Sequence, residues 1–402
     1  MKSCAKVVTV VAFMMMWVPG AEAASYSGGT GSNTDPYQVA DGYDWGTLTD
    51  NPADWNKHFV LMTDIDFTGA ALSPVGSITT TFTGLFDGNG HVLRNGQVNA
   101  AGNDYVGLFG CVGVTGEIRN LSVELSGVQG RYYVGGLAGA NYGSLSSCHA
   151  TCFVTGDSFV AGLVGYNGGG MITRCSATGP VQGGTLSSNV GGLAGFNDGG
   201  TVVLSYAGGT VESINSSGNV GGLAGYNSGM ISASYATNRV SGKIIVGGLV
   251  GLNVGSLITC YSMGAVTGEV RGVGGLVGSN IGSVVSSSYW DRDTSGQTES
   301  DGGEARTTLE MTSPHAANTY VGWDFTSVWV EDGGHIVNNG YPYLLENAPP
   351  YEPDSGTACG CCRAAAKQAS WKQVLERAPG DWLLIGLGIL TLMAYSLQGR
   401  LT

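Results

Sequence analysis

A short hydrophobic phrase returns seven times along the chain, with valine and leucine at fixed places among glycines. Its central leucines follow one another at intervals of 26 to 30 residues. A repeat of this length is typical of a solenoid, in which each unit forms one coil and stacks on its neighbours. The segments are VGLFG (106–110), VGGLAGAN (134–141), VAGLVGYN (160–167), VGGLAGFN (190–197), VGGLAGYN (220–227), VGGLVGLN (246–253) and VGGLVGSN (273–280).

Within one repeat the pattern predicts short strands separated by turns. In the sixth repeat a strand is expected at Val246 and Leu249. The chain would turn at Asn253 and Gly255, and a second strand would follow at 257–261. Paired glycines oppose helix interiors. The prediction is therefore an all-β parallel solenoid whose coils stack about 4.8 Å apart.

Two kinds of side chain recur at fixed positions and predict columns that run through the stack. The central leucines should point inward: Leu108, Leu137, Leu163, Leu193, Leu223, Leu249 and Leu276. An asparagine follows the leucine by four residues in six repeats, which predicts a structural ladder of amides: Asn141, Asn167, Asn197, Asn227, Asn253 and Asn280. A tight inward slot is expected where Ser and Cys alternate: Cys148, Cys175, Ser205, Ser234 and Cys260. Cys148 and Cys175 would form a disulfide or remain buried thiols.

The two ends of the chain have the character of export and anchoring signals. Residues 1–23 combine lysines, an apolar run and a small-residue cleavage site, which predicts a signal peptide. Residues 382–397 are apolar and uncharged, which predicts a single transmembrane helix, slightly shorter than the roughly 20 residues of a comfortable span. Residues 347–381 are expected to be a linker with a cysteine cluster and a helical spacer. The chain is therefore expected to be exported and held in the cell envelope or at the cell surface through its carboxy terminus.

Composition narrows the functional classes. A hydrophobic fraction of 43%, with 69 glycines at fixed repeat positions, opposes disorder. The net charge of −13 argues against a nucleic-acid partner, because such partners recruit basic patches.

Few residues offer catalytic or metal chemistry. Asp64 and Asp66 alternate along a strand and would lie about 7 Å apart on one face. Together with Asp87 they are the candidates of a carbohydrate-active enzyme, but two acids on a solvated edge strand are the simpler interpretation. Asp291 and Asp293 resemble the start of a calcium loop, or a capping turn. We predict no catalytic residue, no cofactor and no metal.

The repeats resemble the GLUG motif of bacterial exported proteins, named for a Gly-Leu-x-Gly core that stands here as Gly136-Leu137-Ala138-Gly139. The flanking segments, which include Phe86–His91 and Tyr289-Trp290-Asp291, are similar to those that usually surround such repeats. The resemblance implies a right-handed β-helix on a surface-associated protein, with no established catalytic residues. The expected divisions are opening coils at 24–100, seven repeats at 101–287 and a capping module at 288–346.

The carboxy-terminal tail resembles the sorting signals of Gram-negative bacteria. It begins at Cys359-Gly360-Cys361-Cys362 and leads into the apolar run. The resemblance implies a sorting protease as a partner.

These features favour a non-enzymatic, surface-displayed adhesin-like or envelope structural protein. Its expected partners are surface glycans or other cell-surface proteins. Two alternatives stay open. One is a carbohydrate-active β-helix, a lyase or hydrolase, that uses Asp64, Asp66 or Asp87. The other is a stiff spacer that displays the module at 288–345.

Overall fold

The structure is a computed structural model that describes residues 25–184, 189–213 and 218–350. The chain divides into two units, Met1–Pro350 and Tyr351–Thr402. The predicted signal peptide, cysteine cluster and transmembrane segment lie outside the described residues. Among those that are described, no helix is both long and apolar enough to cross a membrane.

Over the described residues the chain forms a parallel β-solenoid of about eight turns. Five sheets run along it, with seven, ten, ten, seven and six described strands in the order in which a coil visits them. We number these sheets 1 to 5. The predicted parallel β-solenoid is thus confirmed. Each complete coil has five short strands rather than the two that the sequence pattern predicted, because additional corners divide them.

The strands lie in register from coil to coil. Sheet 1 contains Phe109–Val112, Ala138–Asn141, Val164–Gly168, Ala194–Asp198, Ala224–Asn227, Val250–Asn253 and Val277–Asn280. Sheet 2 contains Tyr37–Val39, His58–Leu61, Leu85–Asp87, Glu117–Arg119, Ser144–Ser146, Met171–Thr173, Thr201–Val203, Met230–Ser232, Ser256–Ile258 and Val284–Ser286. Sheet 3 contains Ile65–Asp66, Val92–Arg94, Ser122–Glu124, His149–Ala150, Ser176–Ala177, Tyr206–Ala207, Tyr235–Ala236, Tyr261–Ser262, Tyr289–Asp291 and Glu304–Arg306.

The remaining two sheets complete each coil. Sheet 4 contains Gln97–Asn99, Gly127–Gln129, Val154–Gly156, Val181–Gly183, Thr210–Ser213, Arg239–Ser241 and Val266–Thr267. Sheet 5 contains Tyr132–Gly135, Ser158–Ala161, Asn189–Gly191, Asn219–Gly221, Ile245–Gly247 and Val273–Gly274. An antiparallel pair, Trp329–Val330 and Tyr343–Leu344, lies outside the stack.

Corners at positive φ explain why the predicted strands are divided. The segment expected as one strand at 257–261 breaks at Thr259, which has φ 53°. The same corner, between sheets 2 and 3, recurs in successive coils at Asn120, Ser147, Arg174, Leu204, Ala233, Thr259 and Ser287. The other expected strand breaks at Gly248-Leu249, and Leu249 is fully buried there, as are the six equivalent leucines.

The repeated glycines bring backbones together where a side chain would not fit. A Cβ atom on Gly222 would lie 2.0 Å from the carbonyl oxygen of Gly248 in the next coil. A Cβ on Gly225 would lie 2.5 Å from the backbone nitrogen of Val190. The first glycine therefore allows neighbouring coils to approach to hydrogen-bonding distance, and the second lets sheet 1 lie directly against sheet 5.

A helix and a tryptophan cover the amino-terminal end of the core. Helix α1 (Gly42–Asp50) is capped by Asp41, whose side chain accepts hydrogen bonds from two backbone N–H groups of the first turn. A 3-10 turn, Pro52–Asp54, follows it. From α1 the buried Trp45 makes edge-to-face contacts with the core rings Phe67, Phe86 and Phe109.

At the other end, Trp290 closes the stack and the chain turns back along the outside. Trp290 packs on Gly275, where a Cβ would lie 1.9 Å from the indole ring. Two short helices follow, α2 (Arg292–Ser295) and α3 (Thr308–Met311). Residues 307–347, which we call the strap, then run over sheet 3 and bury the tyrosines of its outer surface.

We expect Gly222→Ala to destabilise the protein by several kcal/mol, because the new Cβ would force two backbones apart. Gly46→Ala is the matched control. Gly46 lies inside α1, nothing stands within 4 Å of its Cβ direction, and alanine there should stabilise by roughly 0.5–1 kcal/mol. Chemical unfolding of both purified variants measures the difference. Equal stability of the two variants would contradict the close approach of the coils.

Candidate functional site

The asparagines predicted at the turns form a continuous buried ladder at the end of the sheet 1 strands. In the first five members Nδ2 donates to the Oδ1 of the asparagine in the next coil, over 2.7 to 2.8 Å. The members are Asn141, Asn167, Asn197, Asn227, Asn253 and Asn280. Five of the six side chains are fully buried, so the amides bond to one another and to backbone carbonyls and are closed to a ligand.

The Ser/Cys slot forms a second buried column. The backbone N–H of Cys175 donates to Ser205 Oγ over 3.1 Å, and that of Ser205 donates to Ser234 Oγ over 3.2 Å. The backbone N–H of Cys148 donates in the same way to Cys175 Sγ over 3.4 Å. All five cysteines of the described part of the chain are buried free thiols. The slot is therefore structural.

The predicted acids Asp64 and Asp66 lie near each other but have separate partners. Asp64 pairs with Arg94 at 2.5 Å and with His91 at 3.1 Å. Asp66 accepts from Thr68 at 2.6 Å and from Asn95 at 3.0 Å. A hydrogen bond from the backbone of Val92 lowers the pKa of Asp64, and the bond from Thr68 lowers that of Asp66. The sequence interpretation missed Arg94, which lies 30 residues from Asp64 but one coil away.

Asp87 is likewise held as an anion. Burial opposes its charged form, but bonds from Asn120, the backbone of Asn89 and Arg119 lower its pKa. The Arg119 Nε lies 2.9 Å from the Asp87 carboxylate. A glycosidase needs one carboxyl group that holds a proton near neutral pH. None of the three candidates supplies it, because each has a lowered pKa.

The segment that the sequence left open between a calcium loop and a capping turn is a helix cap in the structure. The buried Asp291 accepts from the backbone of Asp293 and Thr294 at the start of α2, and from Thr308 Oγ1 at 2.7 Å. Tyr341 also donates to it. No group of three potential metal ligands occurs among the described residues.

One histidine and serine stand close enough to suggest nucleophilic catalysis. His149 Nδ1 lies 2.8 Å from Ser176 Oγ in the next coil of sheet 3. Burial lowers the pKa of His149. In the described part of the chain no carboxylate contacts His149 to orient it, and Ser176 is buried. The pair lacks the third member of a triad and is a link between coils.

The surface feature that stands out is a band of half-exposed aromatic rings where sheets 5 and 1 meet. Tyr105 stacks on Tyr133, and Tyr133 on Phe159, each with ring centroids 4.7 Å apart. An edge-to-face contact of 5.6 Å joins Tyr133 to Tyr166 of sheet 1, and contacts of 5.6 and 4.5 Å continue along sheet 1. We call this surface the aromatic band; its residues are Tyr105, Tyr133, Phe159, Tyr166, Phe196 and Tyr226.

Three of these rings are carried on strained backbone. Tyr105, Tyr133 and Phe159 have φ between 56° and 59°, a region that bulky residues rarely adopt. Gly272 holds the same repeat position in the last coil with φ 63°, at no such cost. Strain of about 1–3 kcal/mol per residue is typical of positions with a functional constraint.

Polar groups border the aromatic band. The Tyr166 hydroxyl donates to Asp198 over 2.6 Å. Arg131 binds Asp104 through two nitrogens at 2.7 and 2.8 Å and lies over the Tyr132 ring. In the described structure the hydroxyls of the other band tyrosines, Tyr105, Tyr133 and Tyr226, have no hydrogen-bond partner. The band thus offers ring surface and free hydroxyls together.

Sequence reasoning missed the aromatic band, although a signal was present. Aligned by repeat, the rings fall at only two positions: directly before the first valine and three residues after the leucine. The column before the valine reads Tyr105, Tyr133, Phe159, Asn189, Asn219, Ile245 and Gly272. The column after the leucine reads Cys111, Ala140, Tyr166, Phe196, Tyr226, Leu252 and Ser279.

The strap covers a second aromatic stack and does not project from the solenoid. Tyr206, Tyr235 and Tyr261 stack at 5.0 and 4.9 Å beneath Trp329, which is itself buried. Asn347 donates to backbone carbonyls of two coils at 3.0 and 3.1 Å. The capping module therefore shares a core with the solenoid, which weakens the hypothesis of a displayed module.

Comparison with known proteins places the repeats in a named class. The model of the GLUG motif matches residues 160–182 and 216–241, within the solenoid. The solenoid thus contains GLUG repeats, and the resemblance seen in the sequence is confirmed for them.

Two curated relatives and one solved structure are similar to parts of the chain. Halomucin of Haloquadratum walsbyi is 31% identical over 159 residues, 37% of this chain but 2% of that protein. An Evansella cellulosilytica protein, provisionally named a Gly-rich membrane protein, is 32% identical over 139 residues, 32% of this chain and 16% of its own length. The chain therefore spans a small fraction of either relative.

The solved structure is a protein from Bacteroides ovatus that bears the provisional name of an immunoglobulin A1 protease. It aligns with a TM-score of 0.59 and 21% identity over 80% of this chain and 95% of that one. At this identity the likeness shows the fold alone.

We expect the five described cysteines to resist iodoacetamide at pH 8 until the protein unfolds. Burial raises the pKa of Cys111, Cys152 and Cys260 to about 12, so little reactive thiolate exists at pH 8. Mass spectrometry of the peptides before and after unfolding in guanidinium measures each site. Modification of Cys260 in the folded protein, or a peptide that links Cys148 to Cys175, would contradict the buried free thiols.

Proposed function

We propose that this chain is a surface-displayed, non-enzymatic β-solenoid that makes adhesin-like contacts through the aromatic band. The observation that carries the proposal is a row of six half-exposed rings, three of which are held on strained backbone. The fold does not require those rings, because Gly272 and Ser279 occupy the same two repeat positions in the last coil. Large side chains kept at replaceable surface positions indicate binding.

The absence of an enzymatic function is supported by the state of the candidate acids. Asp64, Asp66 and Asp87 are paired with cationic or polar neighbours, and their pKa values are lowered. A cleft of about 450 Å3 between α1 and residues 66–73 contains Asp66. It gives the alternative of a carbohydrate-active enzyme its best location, but Asp66 there would remain ionised at neutral pH.

The proposed location is the cell envelope. The support is the signal-peptide pattern of residues 1–23, the apolar segment 382–397 and a relative named as a membrane protein. A sorting protease that acts near Cys359–Cys362, and the right-handed sense of the β-helix, belong to the same proposal. Both rest on sequence resemblance.

The course of the strap supports an exposed aromatic band. The strap ends at Asn347, which binds the coils of Cys175 and Leu204 on the side of the solenoid. Sheet 3, which it covers, is two sheets away from both sheet 5 and sheet 1 along the coil. The strap therefore covers a side of the solenoid away from the aromatic band and leaves the band open.

We expect a stop codon after Pro350 to release the protein into the medium, while the full-length chain stays with the envelope. The reason is that residues 24–350 contain no apolar run long enough to span a bilayer. Cell fractionation followed by intact mass measurement tests both forms. Soluble full-length protein would argue against anchoring, and an intact terminus at Thr402 would argue against sorting.

We expect the purified protein to sediment with intact bacterial cells or mucin-coated beads and to leave polysaccharides uncut. Tyr133→Gly combined with Tyr226→Ser, which copy the residues of the last coil, should abolish sedimentation. Phe153→Ala is the control, since Phe153 is 44% exposed and lies outside the aromatic band. Unchanged sedimentation of the double variant would show that the contact site lies outside the aromatic band. New chain ends from pectic, alginate or chitin-like polymers that vanish in Asp64→Asn with Asp66→Asn would establish the enzyme instead.

A further inference from the structure

We propose that the aromatic band is a binding site for a neutral polysaccharide that lies along the solenoid axis. This inference rests on the proposed function of surface contact and names its ligand class. Sugar rings combine an apolar C–H face with a rim of hydroxyls. They therefore match a surface that combines exposed aromatic carbon with free phenolic hydroxyls.

The shape of the aromatic band favours a linear ligand. Its rings follow one another from coil to coil, so between Tyr105 and Tyr226 they extend over roughly 19 Å, four coil spacings of about 4.8 Å. The band is only one or two rings wide. A polymer chain of single-residue width can contact every ring in turn.

The exposed area is too small for a stable protein partner. Six rings, each with about 200 Å2 of total surface of which about a third or less is exposed, present at most about 400 Å2. A stable protein interface covers about 800 Å2 on each partner. The aromatic band alone therefore does not provide a dimer interface with a second copy of this chain.

The polar neighbours add hydrogen-bonding groups beside the rings. In the column before the valine, Asn189 and Asn219 replace the aromatic residues in the next two coils. Asn219 Nδ2 donates to Asn189 Oδ1 over 2.8 Å. That bond uses one donor of Asn219 and leaves its carbonyl oxygen available to a sugar hydroxyl.

Charge favours a neutral ligand over an anionic one. Asp104 and Asp198 border the aromatic band, and the chain carries a net charge of −13. The charge of Arg131 is already balanced by its two bonds to Asp104. An incoming uronate or sulfate group would meet carboxylates and a compensated cation, so polymers that carry such groups should bind poorly.

The test is affinity electrophoresis and calorimetry of the full chain with neutral oligosaccharides, cellohexaose and chitohexaose, and with the anionic hexagalacturonate and alginate oligomers. We expect binding of at least one neutral probe that varies little between 50 and 500 mM salt. Tyr133→Gly with Tyr226→Ser should weaken it at least tenfold, about 1.4 kcal/mol. Phe153→Ala should leave the affinity unchanged.

Thermal melting of the same variants separates binding from folding. Because Gly272 and Ser279 show that the fold accepts these residues, the double variant should melt within a few degrees of the wild type. Equal affinity of the double variant, or salt-sensitive binding of the anionic probes alone, would overturn the inference. If sedimentation with cells requires the aromatic band but no neutral probe binds, the glycan assignment is wrong. The proposed surface contact would then still stand.

Discussion

The close approach of sheets 5 and 1 through glycine is the constraint on which the rest of the structure depends. In the third to sixth repeats one glycine faces a carbonyl of the next coil at a distance that excludes a Cβ, and another lies against the backbone of sheet 5. The leucine between them fills the core. Since the two backbones touch without side chains between them, side chains on the outer surfaces of both sheets come to lie side by side. The glycines of the motif thus create the surface on which the aromatic band can form.

Inside the stack the repeats are nearly identical, and outside they differ. Leucine, asparagine and small Ser or Cys side chains are repeated because each bonds or packs on its own copy one coil away. The outer positions have no such requirement. Aromatic, amide, aliphatic and glycine residues therefore follow one another in a single column. The repeated interior makes the solenoid rigid. The outer positions differ between coils and can therefore carry residues that bind a partner.

The strap divides the exterior into a covered and an open side. Tyr206, Tyr235 and Tyr261 form a stack as regular as that of the aromatic band, but Trp329 and its neighbours bury it. Stacked rings on this solenoid therefore do not by themselves mark a binding surface. What distinguishes the aromatic band is that its rings stay half-exposed, and that three of them stand on strained backbone at a repeat position where Gly272 has the same φ without strain.

The sequence by itself determined the solenoid, its period and the inward leucines, because copies of one unit that stack in register repeat every contact at a fixed interval. It also placed the asparagines at one corner. The sequence did not predict the number of strands per coil. The strands break at non-glycine residues such as Thr259, which have positive φ without any sequence signal. Only the tertiary structure joined Asp64 to Arg94 and brought Tyr133 beside Tyr166. The physical reason is that stacking converts a separation of about thirty residues into contact between neighbouring coils, and the alignment of the two outer columns depends on how closely sheets 5 and 1 approach.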